Sequence, residues 1–189
     1  MKLLPVTLLL LTSVLAASPV RADCPRPWIF FDLGQTLIDT QGNTMKNMTY
    51  MTGARDYLAG LEKDGYALGM IVNWPEKDGA TQLEKQQRMK TFIESGWAGA
   101  PEPRFDWTAF PPELMLLSNT TAERKPAPAL YLRALALAGA VGCQAVFMGE
   151  DAKEVDAARA NGMRAWLLGT PGGDPEAPLY APREFLLGY

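Results

Sequence analysis

The sequence contains no histidine. That absence excludes an imidazole base, a Ser/His pair and a His-ligated zinc, and leaves carboxylate, hydroxyl, amide and lysine chemistry. Cysteine is scarce, at two in 189 residues, too few for a disulfide-dense scaffold. No charge of one sign dominates: 18 basic residues stand against 21 acidic ones, a formal net charge of -3, so a nucleic-acid partner has little electrostatic support. Internal repeats and low-complexity tracts are missing as well. What is present is a globular composition, 48% hydrophobic and 10% aromatic, in a length that suits one ordinary domain.

The long uncharged run stands at the start. Met1-Lys2 precedes the apolar stretch Leu3 to Ala17, and Val20-Arg21-Ala22 offers small side chains at the two positions a signal peptidase reads. We expect residues 1–22 to be a cleaved signal peptide and residues 23–189 to be a single exported domain, periplasmic or secreted. Pro5, Pro19 and the Ser and Thr residues of this run argue against a membrane anchor, and Asp23 beside Cys24 argues against a lipid anchor. Loss of Lys2 and Arg21 leaves the mature chain more acidic still.

Along the mature chain, short apolar runs alternate with helical patterns. Trp28 to Phe31, Tyr66 to Val72, Leu114 to Leu117, Ala145 to Met148 and Ala165 to Leu168 read as buried strands. Ala54 to Lys63 reads as a helix with Tyr57, Leu58 and Leu61 inward, ended by Asp64-Gly65. Ala80 to Ser95 reads as a polar helix with Leu83, Met89, Phe92 and Ile93 on its inner face. Ala129 to Ala138 and Glu154 to Asn161 complete the helices, the latter closed by Gly162, and Leu179 to Tyr189 packs across the sheet edge or forms a short tail. The fold class that follows is α/β: a five-stranded parallel, Rossmann-like sheet between two helical layers. Only short segments, Thr40 to Thr52 and a Pro- and Trp-rich loop after the second strand, remain for extra structure, so no large cap domain is expected.

In such sheets the working groups gather at the carboxyl ends of the strands. Here these ends carry Asp32-Leu33-Gly34-Gln35-Thr36, Asn73, Ser118-Asn119 with Lys125-Pro126 beyond, and Gly149-Glu150-Asp151 with Glu154. Acidic strand ends that converge with a lysine suit a divalent cation and a phosphate, because Mg²⁺ takes hard oxygen ligands and lysine offsets phosphoryl charge.

Phe30-Phe31-Asp32-Leu33-Gly34-Gln35-Thr36-Leu37-Ile38-Asp39, the approach Gly65-Tyr66-Ala67-Leu68-Gly69, Arg124-Lys125-Pro126, and Gly149-Glu150-Asp151 with Ala157 to Met163 together resemble the haloacid dehalogenase superfamily. The resemblance runs from Trp28 to about Leu168. It implies a nucleophilic Asp32 that forms an aspartyl-phosphate, with Lys125 as the second catalytic group. It implies Mg²⁺ held by Asp32, the Gly34 carbonyl and Glu150 or Asp151, and substrate contacts from Thr36, Asn73 and Lys125, with Glu154 behind them. It also makes the first and fourth strands neighbours, which brings Cys24 and Cys143 to the amino ends of adjacent strands and implies a disulfide between them.

Three departures accompany the resemblance. The usual second aspartate, which protonates the leaving group and activates water, is replaced by Gly34; such acid/base help is worth about a hundred- to ten-thousandfold. The usual second-motif hydroxyl is replaced by Val72, and the fourth motif leads with Glu150, one methylene longer than aspartate. The resulting expectation is an exported, Mg²⁺-dependent phosphatase-like hydrolase acting on small or polymeric phosphorylated substrates in an open cleft. The alternative is a catalytically impaired relative that acts as a binding or interaction module; Gly34 and Val72 favour it. Dehalogenation fits less well, given the small cap region and the acidic fourth motif.

Several residues have plainer roles to weigh. Asp32 suits a turn after a strand, Lys125 a helix entry, and Glu154 the first turn of a helix. Trp74 reads as a packed lid residue. The sequons at Asn47 and Asn119 carry meaning only in a eukaryotic secretory route.

Overall fold

A computed structural model describes residues 26–40, 46–98, 104–141, 143–169 and 179–188. The expected signal peptide and Cys24 lie outside these residues; Cys143 lies within them, just before the fourth strand of the main sheet.

That sheet comprises β1 (Trp28–Phe31), β4 (Leu68–Val72), β5 (Met115–Leu117), β6 (Ala145–Gly149) and β7 (Arg164–Leu167), all parallel in the order β5-β4-β1-β6-β7. Residues of alternate parity along each strand enter different cores, as the two-residue period of a strand requires. Ile29, Phe31, Met70, Val72, Val146 and Met148 face α1 (Ala54–Lys63), α2 (Gln82–Gly96) and α5 (Arg183–Leu187). Phe30, Ile71, Leu116 and Phe147 face α3 (Ala129–Ala140) and α4 (Ala152–Ala160). Burying a side chain of this size contributes roughly 1.5–3 kcal/mol. The fold class expected from the sequence is the one observed.

Gly69 of β4 lies where Phe30 and the Leu114 backbone leave no room for a side chain: a Cβ there would stand 2.6 Å from the Phe30 ring and 2.8 Å from the Leu114 carbonyl oxygen. Between β1 and α1 the described chain holds a two-stranded antiparallel ribbon, β2 (Ile38–Asp39) and β3 (Thr49–Tyr50). Between β4 and β5 lie α2 and two 3₁₀ turns, Trp107–Ala109 and Pro112–Leu114.

Helix α2 corrects one expectation. Leu83 and Phe92 are exposed, at 58% and 41%, whereas Lys85, Gln86, Met89 and Ile93 are buried. The buried face is polar because it lies over backbone that needs partners. Gln82 both accepts from Leu117 N (3.0 Å) and donates to Leu117 O (2.7 Å), and Gln86 donates to Pro112 O and Met115 O. Lys85 donates to the carbonyls of Glu76, Ser118 and Asn119. A capping box between Thr81 and Glu84 fixes the start of the helix.

The C-terminal segment is an integral part of the first core rather than a tail. Tyr180, Ala181 and Leu186 are buried, Tyr180 stacks on Tyr57 with ring centroids 4.7 Å apart, and Phe185 meets Trp166 edge-on.

Candidate active site

The carboxyl ends of β1 and β6 are locked side by side: Phe31 is level with Met148, and Asp32 N donates to Met148 O at 2.8 Å. This puts Asp32 and Glu150 at the same edge. The turn after Asp32 closes on itself, with Leu37 N and Ile38 N both donating to Leu33 O and Gln35 N donating to Ile38 O. Gln35 adopts a left-handed backbone (φ 52°) and its side chain donates to Thr40 Oγ1 at 2.8 Å. The Gly34 carbonyl takes no part in these bonds. A Cβ on Gly34 would find Thr40 Cγ2 at 3.9 Å as its nearest neighbour, so the position has room for a side chain.

Lys125 enters from the loop after β5. Its ammonium is almost fully buried and lies 2.6 Å from Asp32 Oδ1 and 2.6 Å from Glu154 Oε2. Burial disfavours the ammonium, but the charges of Asp32 and Glu154 outweigh it and hold Lys125 protonated above its ordinary range. The carboxyl of Glu154 is pushed up by burial, against the downward pull of Lys125.

Two residues expected to touch substrate face other partners. Asn73 Oδ1 accepts from Lys125 N at 2.6 Å, while Nδ2 donates to Lys125 O and to Glu154 Oε1, each at 3.0 Å. Both amide hydrogens are thereby engaged, and Asn73 clamps the lysine loop to α4. Thr36 is fully buried, and its hydroxyl donates to Glu150 Oε2 at 2.7 Å. Asp151 is the N-cap of α4: its Oδ1 accepts from Lys153 N and Glu154 N. Its carboxylate therefore serves the helix terminus, which leaves Glu150 to face Asp32.

Burial, followed by the Asp32 charge, pushes the Glu150 carboxyl up to about 7, with the Thr36 hydroxyl opposing the shift. Two carboxylates on adjacent strand ends repel, and either a proton or a cation between them relieves the repulsion. Among the described residues no three Asp, Glu, Cys or His side chains converge on one point. A cation here would take two carboxylates and the Gly34 carbonyl and fill its remaining positions with water or substrate oxygens. That donor set fits Mg²⁺, which binds through one or two carboxylates and keeps several waters.

Asp32, Gly34, Asn73, Lys125, Glu150 and Glu154 share a cavity of about 370 Å³. Val72, Trp74, Phe92 and Ile93 supply an apolar wall, and Arg124 stands at the mouth. The sequence reading placed Phe92 in the core and quoted Arg124 only as the residue before Lys125, and gave neither a place in this cavity. The position of Arg124 beside Lys125 was the available signal for the first; Phe92 gave none, because it looked like one more core residue.

No family model matches the sequence. Among curated proteins, the chain is similar to a phosphoglycolate phosphatase of Pseudomonas putida, 29% identical over 112 residues that make up 59% of this chain and 34% of that protein. It is similar also to a phosphoglycolate phosphatase of Pseudomonas fluorescens, 25% identical over 130 residues, 69% of this chain and 40% of that one. The chain thus spans between about a third and two fifths of the length of these relatives. Among solved structures, D,D-heptose 1,7-bisphosphate phosphatase from B. bronchiseptica, complexed with magnesium and phosphate, is similar with a TM-score of 0.49 and 15% identity over 75% of this chain and 80% of that one.

Proposed function

We propose that this chain, which belongs to the haloacid dehalogenase superfamily, is a Mg²⁺-dependent phosphatase-like hydrolase that works through an aspartyl-phosphate on Asp32. The observation that carries the proposal is the Asp32 carboxylate, set at the end of β1 against the buried Lys125 ammonium and beside Glu150 in the lining of one cavity. An Asp32 oxygen attacks phosphorus and the bond from phosphorus to the leaving oxygen breaks, its electron pair staying on that oxygen. Water then attacks phosphorus, inorganic phosphate departs, and the Asp32 carboxylate is restored.

Asp32, Glu150 and the Gly34 carbonyl would hold Mg²⁺, and the ion supplies charge that offsets the phosphoryl oxygens. Lys125, fixed by Asp32, Glu154 and Asn73, presents a second positive charge that needs no reorganisation during the reaction. Thr36 orients Glu150 from below. Gly34 provides no proton, so the leaving group must depart as a stable anion, which suits acyl phosphates and sugar 1-phosphates better than simple alkyl esters.

The other reading, a binding module that keeps the acidic cleft without turnover, draws its support from Gly34, from Val72 and from the internal engagement of Thr36 and Asn73. A panel of phosphate esters and acyl phosphates, with and without Mg²⁺, separates the two. We expect Mg²⁺-dependent phosphate release that Asp32→Asn abolishes; inertness across the whole panel favours the binding module.

Export after cleavage at Ala22 and a Cys24–Cys143 disulfide belong to the same proposal. The mass of the secreted or periplasmic chain tests the first. Thiol titration of the unfolded, unreduced protein tests the second, with no reactive thiols expected and two per chain as the refuting result.

A further inference from the structure

We propose that the cleft opening beside the Asp32 cavity is the seat of the leaving group, and that it takes one combining a planar aromatic ring with an anionic group of its own. The proposal rests on the phosphatase reading above.

The cleft measures about 1020 Å³, and Asn73, Trp74, Phe92 and Arg124 border both it and the Asp32 cavity. A group attached to a phosphoryl held at Asp32 therefore has this cleft as its next space. Its apolar surface is an aromatic pair, Trp74 meeting Phe92 edge-on with ring centroids 6.0 Å apart. A single exposed phenylalanine on a helix is ordinary, but this one completes a wall with a fixed partner. Ser118 Oγ accepts from Trp74 N at 3.0 Å and donates to Trp74 O at 2.9 Å, and buried Lys85 anchors the same loop through the Glu76 carbonyl. An aromatic wall held in place beforehand loses little freedom when a ring packs on it.

The charge in the cleft has the complementary sign. Lys77, Arg88 and Arg124 line it and make no side-chain hydrogen bond or ion pair among the described residues. Of the carboxylates facing them, Asp78 and Glu84, the second accepts from the amides of Ala80 and Thr81. The cleft thus carries an excess of cations in a chain whose formal net charge is -3. Guanidinium groups grip planar or phosphate-like anions better than they serve neutral groups. Arg124, at the shared border, also places positive charge near the leaving oxygen, which departs with its electron pair and with no proton from position 34.

Calorimetry on the full chain tests this with 2-naphthalenesulfonate, which is not a phosphate ester and cannot be turned over. Cyclohexanesulfonate lacks the ring, 2-naphthol lacks the charge, and inorganic phosphate with Mg²⁺ reports separately on the Asp32 cavity. We expect 2-naphthalenesulfonate to bind at least tenfold more tightly than either organic control, and Phe92→Ala and Arg88→Ala each to erase most of that preference. Equal affinities for the three, or a preference that survives both substitutions, overturns the proposal. If the preference appears as expected while phosphate fails to bind with Mg²⁺, the aromatic anion site stands and the phosphatase reading falls. Phosphate binding without the preference keeps the phosphatase reading and removes the site.

Discussion

The hydroxyl of Tyr180 donates a 2.6 Å hydrogen bond to the carbonyl of Thr36, 144 residues away in the chain. The Thr36 hydroxyl in turn donates to Glu150, and Tyr57 donates to the carbonyl of Ala181, next to Tyr180. The C-terminal segment therefore holds the turn after Asp32 from behind. Tyr180→Phe should cost about 0.5–1.5 kcal/mol of folding stability, the usual net value of one hydrogen bond. It should also weaken Mg²⁺ binding, because the turn that orients Glu150 loses its support. Urea unfolding and a metal titration read the two effects, and a variant indistinguishable from wild type in both would mean that the contact supports nothing.

Lys125 is almost fully buried between two carboxylates, and deleting one member of a buried ion cluster strands the rest. Lys125→Met should destabilise the protein by about 3–5 kcal/mol. Adding Asp32→Asn and Glu154→Gln to it should recover part of that loss. A Lys125→Met protein as stable as wild type in chemical unfolding would contradict the burial argument.

Glu150 carries a pH signature. Its folded carboxyl is raised from 4.5 to about 7, so between these values the folded state holds more proton than the unfolded chain. Stability without metal should therefore fall as pH rises across that window, and the cost is fully present above about 7. Glu150→Gln should unfold at a higher temperature than wild type at pH 8 in metal-free buffer, and added Mg²⁺ should stabilise wild type more than the variant. A lower melting temperature for Glu150→Gln under the same conditions would reverse the sign and refute the account.

How much of this was legible in the sequence differs by element. The five sheet strands were, because β1, β4, β5 and β6 are short apolar runs buried along most of their length and the edge strand β7 is apolar from Ala165 to Leu167, and α1 was, because its apolar spacing and the Asp64-Gly65 ending agree. β2 and β3 were not, since two-residue strands carry no period. The inner face of α2 was misread because hydropathy cannot register a helix whose buried side chains exist to satisfy backbone carbonyls. At the site, residue type placed Asp32, Lys125, Glu150 and Glu154 together, whereas Thr36 and Asn73 were assigned to substrate. Only coordinates reveal that a hydroxyl or amide is already engaged within the protein.

Gly34 has open space at its missing Cβ and a backbone that any residue can adopt. Gly34→Asp should fold normally and should raise turnover of esters with poor leaving groups, within the hundred- to ten-thousandfold range that general acid help provides, roughly. Rates on acyl phosphates should change far less. A folded variant with no gain on poor leaving groups would shift suspicion to Val72.

The pairing of Gln82 with Leu117 along β5 has a bearing on how the molecule keeps to itself in a crowded medium. A terminal strand with free amides and carbonyls invites a strand from another molecule, and growth by such addition ends in insoluble aggregates. Here glutamine side chains act as a false neighbouring strand at Met115 and Leu117. The border of the sheet is closed by residues that any solubility-minded substitution survey would treat as dispensable. Exchanging Gln82 and Gln86 for lysine or glutamate would look conservative by polarity and would reopen that border.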